Sequence, residues 1–158
     1  MIRNVLFVCT GNICRSPLAA SLLERALKER GLEVAVTSAG TGAWDGAPAS
    51  EGAYLVGLEC GLDLSAHRAR LLSRELVEQA DLILTMARHH RARVDELGGE
   101  GRVFVLGEYA GREGDDVEVS DPFGGNLEVY RDTCVELEAL AAAVAERLAA
   151  ESKRGDQR

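Results

Sequence analysis

The chain lacks the features of several large protein classes. It has no apolar run of membrane-spanning length, and the run after Met1 is too short for a signal peptide. Lysine and arginine number 18 against 26 aspartates and glutamates, and the net charge of -8 argues against a nucleic-acid binder. We therefore expect a cytoplasmic protein that binds neither membranes nor nucleic acid.

Cysteine is scarce as well, with four residues: Cys9, Cys14, Cys60 and Cys134. None belongs to a Cys-x-x-Cys pair or to a Cys/His cluster with zinc spacing, which argues against a structural metal. In a cytoplasmic setting we expect free thiols instead of a disulfide framework. Cys60 and Cys134 are expected to be core residues.

The pattern of apolar residues predicts strands and helices that alternate within one domain. Short apolar or β-rich runs predict strands at 4–8, 33–37, 81–86 and 102–106. Helical spacing and capping residues predict helices at 17–30, 50–60 and 73–79, another ending near 97, and a last one after Asn126. Such alternation is typical of an α/β fold, here a three-layer sandwich with a four-stranded parallel sheet and helices on both faces. The domain is expected to span 1–150, followed by a frayed polar tail at 151–158.

One motif joins the first predicted strand to the first predicted helix: Cys9-Thr10-Gly11-Asn12-Ile13-Cys14-Arg15-Ser16-Pro17. Gly11 and Asn12 tolerate left-handed backbone angles, so this segment can curl and direct its N–H groups at an anion. The dipole of the following helix and the planar guanidinium of Arg15 favour the same ligand. We predict an anion-binding loop with the Cys9 thiol at its mouth, at the edge of a parallel sheet where ligands bind.

A thiolate nucleophile needs a hydrogen-bond donor to its sulfur and an acid for the leaving group. The Ser16 hydroxyl is the candidate donor to Cys9. Asp121 is the candidate acid, because it lies in the loop after the fourth predicted strand and hence on the same edge of the sheet as Cys9. Phe123, two residues further on, is a candidate wall of the substrate pocket.

The loop motif, Ser38-Ala39-Gly40 and Asp121-Pro122-Phe123 resemble, in their order and spacing, the low-molecular-weight protein tyrosine phosphatase family. The resemblance implies that Cys9 attacks the phosphorus of a phosphorylated protein and forms a phosphocysteine. Asp121 would protonate the leaving group and then activate the water that releases phosphate, which is product and inhibitor. Arg15 and the amides of the loop would bind the phosphoryl oxygens. Neither a metal nor a cofactor is implied.

The resemblance also implies supporting roles. Asn12 would hold the shape of the loop through contacts with Ser38 and His67, and Trp44 would border the pocket. Cys14 would form a reversible disulfide with Cys9; the alternative is that Cys14 is a small buried packing residue, and both interpretations stay open. From the sequence alone, His89 and His90 are expected to face solvent, and the three tyrosines show no special context.

Two features favour different substrates. Tyrosine-directed members of the family carry isoleucine at the position of Ile13, where arginine-directed members carry threonine, and a branched apolar side chain suits an aromatic ring. The run from Asp121 to Gly125, with Gly124 in place of a second aromatic residue, resembles the bacterial protein arginine phosphatases instead. We give Ile13 more weight because it lies inside the loop, and we predict phosphotyrosine as substrate with phosphoarginine as the alternative.

Two further functions are disfavoured by the sequence. Related arsenate reductases pass oxidation to cysteines downstream of the loop, but the segment 81–102 contains none, and Cys60 and Cys134 are far apart in sequence. An inactive phosphate-binding module would be expected to lack Cys9 or Asp121, and both are present.

Overall fold

The computed structural model describes residues 1–156, which form one parallel sheet and helices on both of its faces. The strands are β1 (Asn4–Cys9), β2 (Ala35–Gly40), β3 (Leu82–Thr85) and β4 (Val103–Val105). The helices are α1 (Arg15–Glu29), α2 (Glu51–Glu59), α3 (Arg74–Gln79), α4 (His89–Glu96), α5 (Leu106–Tyr109) and α6 (Leu127–Asp156). The strand order is β2-β1-β3-β4, and every pair is parallel. The predicted α/β fold is confirmed.

Successive residues of the central strand β1 belong to opposite cores. Val5 and Phe7 pack in the core that contains α1, α2 and α6, whereas Leu6 and Val8 pack with α3 and α4. This alternation follows from the two-residue period of a strand, whose side chains point to opposite faces of the sheet. The sheet is therefore the middle layer of three.

Several details of the structure differ from the predictions. Helix α1 begins at Arg15 instead of 17, so part of the loop motif is the first turn of the helix. The four-residue helix α5 has no counterpart among the predicted elements, because so short a segment carries no helical period. Cys60 is partly exposed, whereas Cys134 is fully buried as expected.

The final helix is longer than the sequence predicts. Helix α6 continues through Asp156, so 151–156 are helical and not a frayed tail. Lys153 and Arg154 lie in its last turn, where positive charge is favourable at the negative end of the helix dipole. The rest of the predicted tail, 157–158, lies outside the described residues. No helix within 1–156 is long and apolar enough to cross a membrane.

The topology brings two distant segments to one edge of the sheet. Strand β1 ends at Cys9, so the loop motif begins at the carboxyl edge. The segment between α5 and α6 returns to the same edge, because the Val119 N–H donates to the Met86 carbonyl just beyond the end of β3. Asp121 follows two residues later, which places the predicted acid on the edge that carries Cys9.

Candidate active site

The loop after β1 is curled and is held by the segment after β2. Asn12 has a φ of 56°, in the left-handed region, and its N–H lies 3.3 Å from the Cys9 sulfur. The Thr41 N–H donates to the Cys9 carbonyl at 3.0 Å. Gly40 is required here, since a Cβ at this position would collide with the carbonyl oxygen of Thr10 and the nitrogen of Asn12. The loop therefore has one backbone shape, fixed by its own residues and by β2.

The side chain of Asn12 is the centre of a buried network. Its amide nitrogen donates to the hydroxyls of Ser16 at 2.7 Å and Ser38 at 2.9 Å. Its amide oxygen accepts from the backbone N–H of Arg70 at 2.9 Å. The backbone carbonyl of Asn12 accepts from His67 Nε2 at 2.6 Å. Burial lowers the pKa of His67, which favours the neutral ring that donates here. The contacts with Ser38 and His67 that the resemblance implies are therefore present.

The Cys9 sulfur is buried among hydrogen-bond donors. The hydroxyl of Ser16 lies 2.9 Å from it, and the Asn12 N–H lies 3.3 Å from it. Since the Ser16 oxygen already accepts from Asn12, its own proton is free to point at the sulfur. This chain of donors favours negative charge on sulfur, because hydrogen bonds to the charged form stabilise it.

Several donors around the loop have no partner in the protein. Among residues 1–156, the N–H groups of Gly11, Ile13 and Cys14 have no acceptor. The first N–H groups of α1, from Arg15 onward, have none within the helix. The Nε atom of Arg15 is buried without a hydrogen-bond partner, an uncommon state for a guanidinium nitrogen. Unpaired donors grouped in this way are suited to a tetrahedral anion.

Arg15 connects the loop with the predicted acid. One terminal nitrogen donates to the Val119 carbonyl at 2.9 Å, and the other lies 3.7 Å from a carboxyl oxygen of Asp121. The arginine side chain is 6% exposed, whereas that of Asp121 is 51% exposed. The other oxygen of Asp121 accepts from the Phe123 N–H at 3.1 Å. Asp121 therefore lies at the rim of the anion site, in contact with both solvent and Arg15.

Three apolar side chains are available near this rim. Trp44 is 84% exposed and Phe123 is 65% exposed, and each lies in a segment connected to the loop or to Asp121. Ile13 is partly buried, and it packs against the core that contains α1. An exposed ring is available for contact with a ligand.

The second thiol of the loop faces away toward α2 and α6. The Cys14 sulfur lies 3.1 Å from the Ser50 hydroxyl and 3.4 Å from the Tyr130 hydroxyl, and burial raises the pKa of Cys14. The expectation that Tyr130 has no special context is wrong. Gly52 makes this contact possible, because a Cβ there would collide with the tyrosine ring. In the sequence, only Gly52, a glycine inside a predicted helix, indicates that another group packs closely against this helix.

The prediction that His90 faces solvent is wrong. His90 is fully buried at the start of α4, whereas its neighbour His89 faces solvent. Its Nδ1 accepts from the Ala87 N–H at 3.1 Å, which leaves the proton on Nε2, 3.0 Å from the Thr10 hydroxyl. Burial lowers the pKa of His90 to about 4, so the ring is neutral near pH 7 and donates to Thr10. A polar run of histidines and arginines carries no signal of this burial.

We predict that this contact positions the first residue of the loop after the nucleophile. Thr10→Val is expected to lower kcat/KM about fivefold, since a net hydrogen bond contributes about 1 kcal/mol. In a His90→Ala background the same substitution should have little further effect, because the partner is already absent. Steady-state kinetics of the double-mutant cycle check this. Thr41→Val is the matched control; additive losses in the cycle would show that the two side chains act independently.

No group of three or more His, Cys, Asp or Glu side chains in the described part of the chain is placed to hold a metal ion. The candidate site consists of a thiol, a loop with unpaired N–H groups, a buried guanidinium and a carboxyl group at one edge of a parallel sheet. This fold and this site are those expected of a cysteine-dependent phosphatase.

Comparison with known proteins agrees with this class. The family described as low molecular weight phosphotyrosine protein phosphatase matches residues 4–154. The chain is 42% identical over 150 residues to the protein-arginine-phosphatase of Geobacillus stearothermophilus, which is 94% of this chain and 97% of that protein. It is 39% identical over 153 residues to the low molecular weight protein-tyrosine-phosphatase Wzb of Escherichia coli K12, with 96% and 99% covered.

A solved structure extends the likeness to the fold. It is a cysteine-to-serine mutant of the YwlE arginine phosphatase with a phosphorylated active-site serine, and it superposes with a TM-score of 0.85 at 38% identity over 92% of this chain and 95% of that one. The chain belongs to the low molecular weight phosphotyrosine protein phosphatase family and is a hydrolase of that family.

Proposed function

We propose that the protein hydrolyses phosphotyrosine on proteins through a phosphocysteine on Cys9. The observation that carries this proposal is the position of the Cys9 sulfur, which accepts hydrogen bonds at the mouth of a loop whose N–H groups have no other partner. The phosphorylated relative supports it, because its active-site serine, in a cysteine-to-serine mutant, carries phosphate.

Binding of the substrate uses the unpaired donors of the loop. The N–H groups of Gly11, Ile13 and Cys14 and the free Nε of Arg15 donate to the phosphoryl oxygens. These donors are held in place before the substrate arrives, so little reorganisation is needed when charge develops in the transition state. The site consequently binds the product phosphate as well, and we expect free phosphate to be a competitive inhibitor.

The first chemical step transfers the phosphoryl group to sulfur. The Cys9 thiolate attacks phosphorus, a P–S bond forms and the P–O bond to the tyrosine breaks. Asp121 donates its proton to the departing phenolate oxygen, so the leaving group is neutral. The hydroxyl of Ser16 stabilises the thiolate before attack.

The second step regenerates the enzyme. The Asp121 carboxylate accepts a proton from water, the resulting hydroxide attacks phosphorus, and the P–S bond breaks. Phosphate leaves and the thiolate of Cys9 returns. No step needs a metal or a cofactor, and one carboxyl group is acid in the first step and base in the second.

The pocket walls favour an aromatic leaving group. Ile13 lies inside the loop with its side chain partly exposed, and the rings of Trp44 and Phe123 are exposed. Apolar and aromatic walls suit a phenyl ring, whereas they would leave the polar nitrogens of a guanidinium without partners. A phosphorylated tyrosine on a cytoplasmic protein is therefore the proposed substrate.

Phosphoarginine is the second candidate, and two observations favour it. Protein-arginine-phosphatases are among the relatives near 40% identity, and Gly124 follows Phe123 where tyrosine-directed members more often carry a second aromatic residue. A glycine leaves one side of the pocket open, and a guanidinium can keep its hydration there.

We expect the identity of residue 13 to decide between phosphotyrosine and phosphoarginine as the preferred substrate. The wild-type protein should turn over a phosphotyrosine peptide with a higher kcat/KM than a matched phosphoarginine peptide. Ile13→Thr should shift that ratio toward phosphoarginine by about tenfold or more, since contacts of this size are worth about 1–3 kcal/mol. Parallel kinetics on both peptides measure the shift, and Ile13→Val is the control that keeps the apolar surface. Faster or comparable turnover of phosphoarginine by the wild type would overturn the proposed substrate.

A further inference from the structure

Two cysteines outside the active-site loop meet at the interface of α2 and α6. The sulfur of Cys60, the capping residue that follows α2, lies 2.8 Å from the sulfur of Cys134 on α6. Both are free thiols. Because α2 packs along α6, residues 74 positions apart in the sequence come into contact.

Polar contacts beside the two cysteines hold the segments that carry them close together. Arg131, one turn before Cys134 on α6, donates to both carboxyl oxygens of Glu59, at 2.8 and 3.0 Å. Arg25 of α1 donates to the Cys60 carbonyl at 2.7 Å. The backbones on both sides of the thiol pair are therefore fixed by polar contacts that do not involve sulfur.

The two thiols differ in access to solvent. Cys60 is partly exposed, so we expect a small oxidant to reach its sulfur more readily than that of Cys134. Cys134 is completely buried, which raises the pKa of its thiol and shields it from solutes. The exposed sulfur is thus the one that is oxidised first, and the buried sulfur is positioned to react with it.

We propose that Cys60 and Cys134 form a reversible disulfide when the protein meets hydrogen peroxide. The Cys60 sulfur attacks a peroxide oxygen, which yields a sulfenic acid and one water. The Cys134 sulfur then attacks the Cys60 sulfur; the S–S bond forms, the S–O bond breaks, and the thiol proton leaves with the oxygen as a second water. Two thiols and one peroxide give one disulfide and two waters, and a dithiol reductant reverses the reaction.

The bond would connect the two helices that contact the active-site loop. Ser50 caps α2 at the end opposite Cys60, and Tyr130 lies one turn before Cys134; both bind the Cys14 sulfur. A disulfide between the helices closes a long loop and restricts the unfolded chain. It therefore stabilises the fold around Cys14 while the Cys9 thiol takes no part in it.

Peptide mapping separates this disulfide from any oxidation within the active-site loop. Trypsin releases Cys60 in 31–68 and Cys134 in 132–147, whereas Cys9 and Cys14 lie together in 4–15. After hydrogen peroxide treatment and alkylation of free thiols, the linked pair of 31–68 with 132–147 is expected, and it should disappear with dithiothreitol. Peroxide treatment that oxidises 4–15 without producing the linked pair would overturn the proposal.

Thermal unfolding provides the second measurement. Peroxide-treated wild type is expected to melt about 4 °C or more above the reduced protein, as typical disulfides raise stability in a domain of this size. Cys60→Ser should lose this rise, since it retains Cys9 and Cys14 but not the pair. If Cys60→Ser folds poorly, Cys134→Ala removes the other cysteine of the pair and should also lose the rise in melting temperature. An equal rise in both variants would contradict the proposal, because the stabilisation would then come from other cysteines.

Discussion

Cys9→Ser is expected to lower kcat on a phosphotyrosine substrate by about 10⁴-fold or more, since loss of a nucleophile removes the covalent route. Phosphate affinity should change by no more than a few-fold. The donors that bind the anion, the loop N–H groups and the Arg15 Nε, stay in place when the sulfur becomes a hydroxyl. The variant therefore separates binding from chemistry.

Steady-state kinetics and calorimetric titration with phosphate check the two halves of this prediction. Cys60→Ser is the matched control, because it makes the same change at a thiol that touches neither the loop nor Asp121. It should retain nearly the full rate under reducing conditions. A Cys9→Ser protein that keeps its rate to within about tenfold would mean that another group attacks phosphorus.

Asp121→Asn is expected to have the second large effect, a loss of activity that depends on the leaving group. On phosphotyrosine, whose phenol is a poor leaving group, kcat/KM should fall by about 10²–10³-fold, within the usual range for general acids. On p-nitrophenyl phosphate, whose leaving group needs little protonation, the fall should be much smaller. The amide has the size of the carboxyl group and can still accept from the Phe123 N–H, so the change removes the proton and the charge with little change in shape.

The measurement is a series of aryl phosphates with leaving groups of increasing pKa. The plot of log kcat/KM, which reports the first chemical step and not the hydrolysis of the phosphocysteine, against that pKa should be steeper for Asp121→Asn than for the wild type. Asp116→Asn is the matched control, an exposed aspartate in the same loop between α5 and α6. Equal slowing across the whole series would exclude Asp121 as the acid and leave it a role in holding Arg15.

The parts of the fold that follow local rules could be predicted from the sequence. The apolar run before Cys9 and the helical spacing after Pro17 each lie within one continuous segment, so their periods are readable. Helix α5 is too short to show a period. The last turns of α6 carry no apolar stripe, and their helical state follows from continuation of the preceding turns and favourable charges at the helix end.

The same distinction holds for the site. The loop from Cys9 to Arg15 could be predicted because its chemistry is contiguous, whereas Asp121 also required the topology of a parallel sheet. The Val119 carbonyl that binds Arg15 and the Arg70 N–H that binds Asn12 are backbone groups, so the residue types at these positions do not predict the contacts.

The predictions for two side chains are wrong because their exposure depends on tertiary packing. His90 and Tyr130 lie in helices, and whether such a residue faces solvent or the loop depends on how the helix packs. The polar surroundings of His90 in the sequence argue for exposure, yet its ring is buried against Ala87. Only the assembled sheet determines these contacts.

The most direct test of the account is the location of the phosphoryl group during turnover. The wild-type protein would be mixed with a phosphotyrosine peptide, quenched in denaturant within one turnover, digested with trypsin and analysed by mass spectrometry with fragmentation. If Cys9 is the nucleophile, peptide 4–15 carries the added mass of one phosphoryl group, on Cys9 and not on Cys14, and the same peptide of Cys9→Ser carries none when quenched after the same time. Turnover with no phosphorylated 4–15 at any quench time, or with the group on another residue, would contradict it.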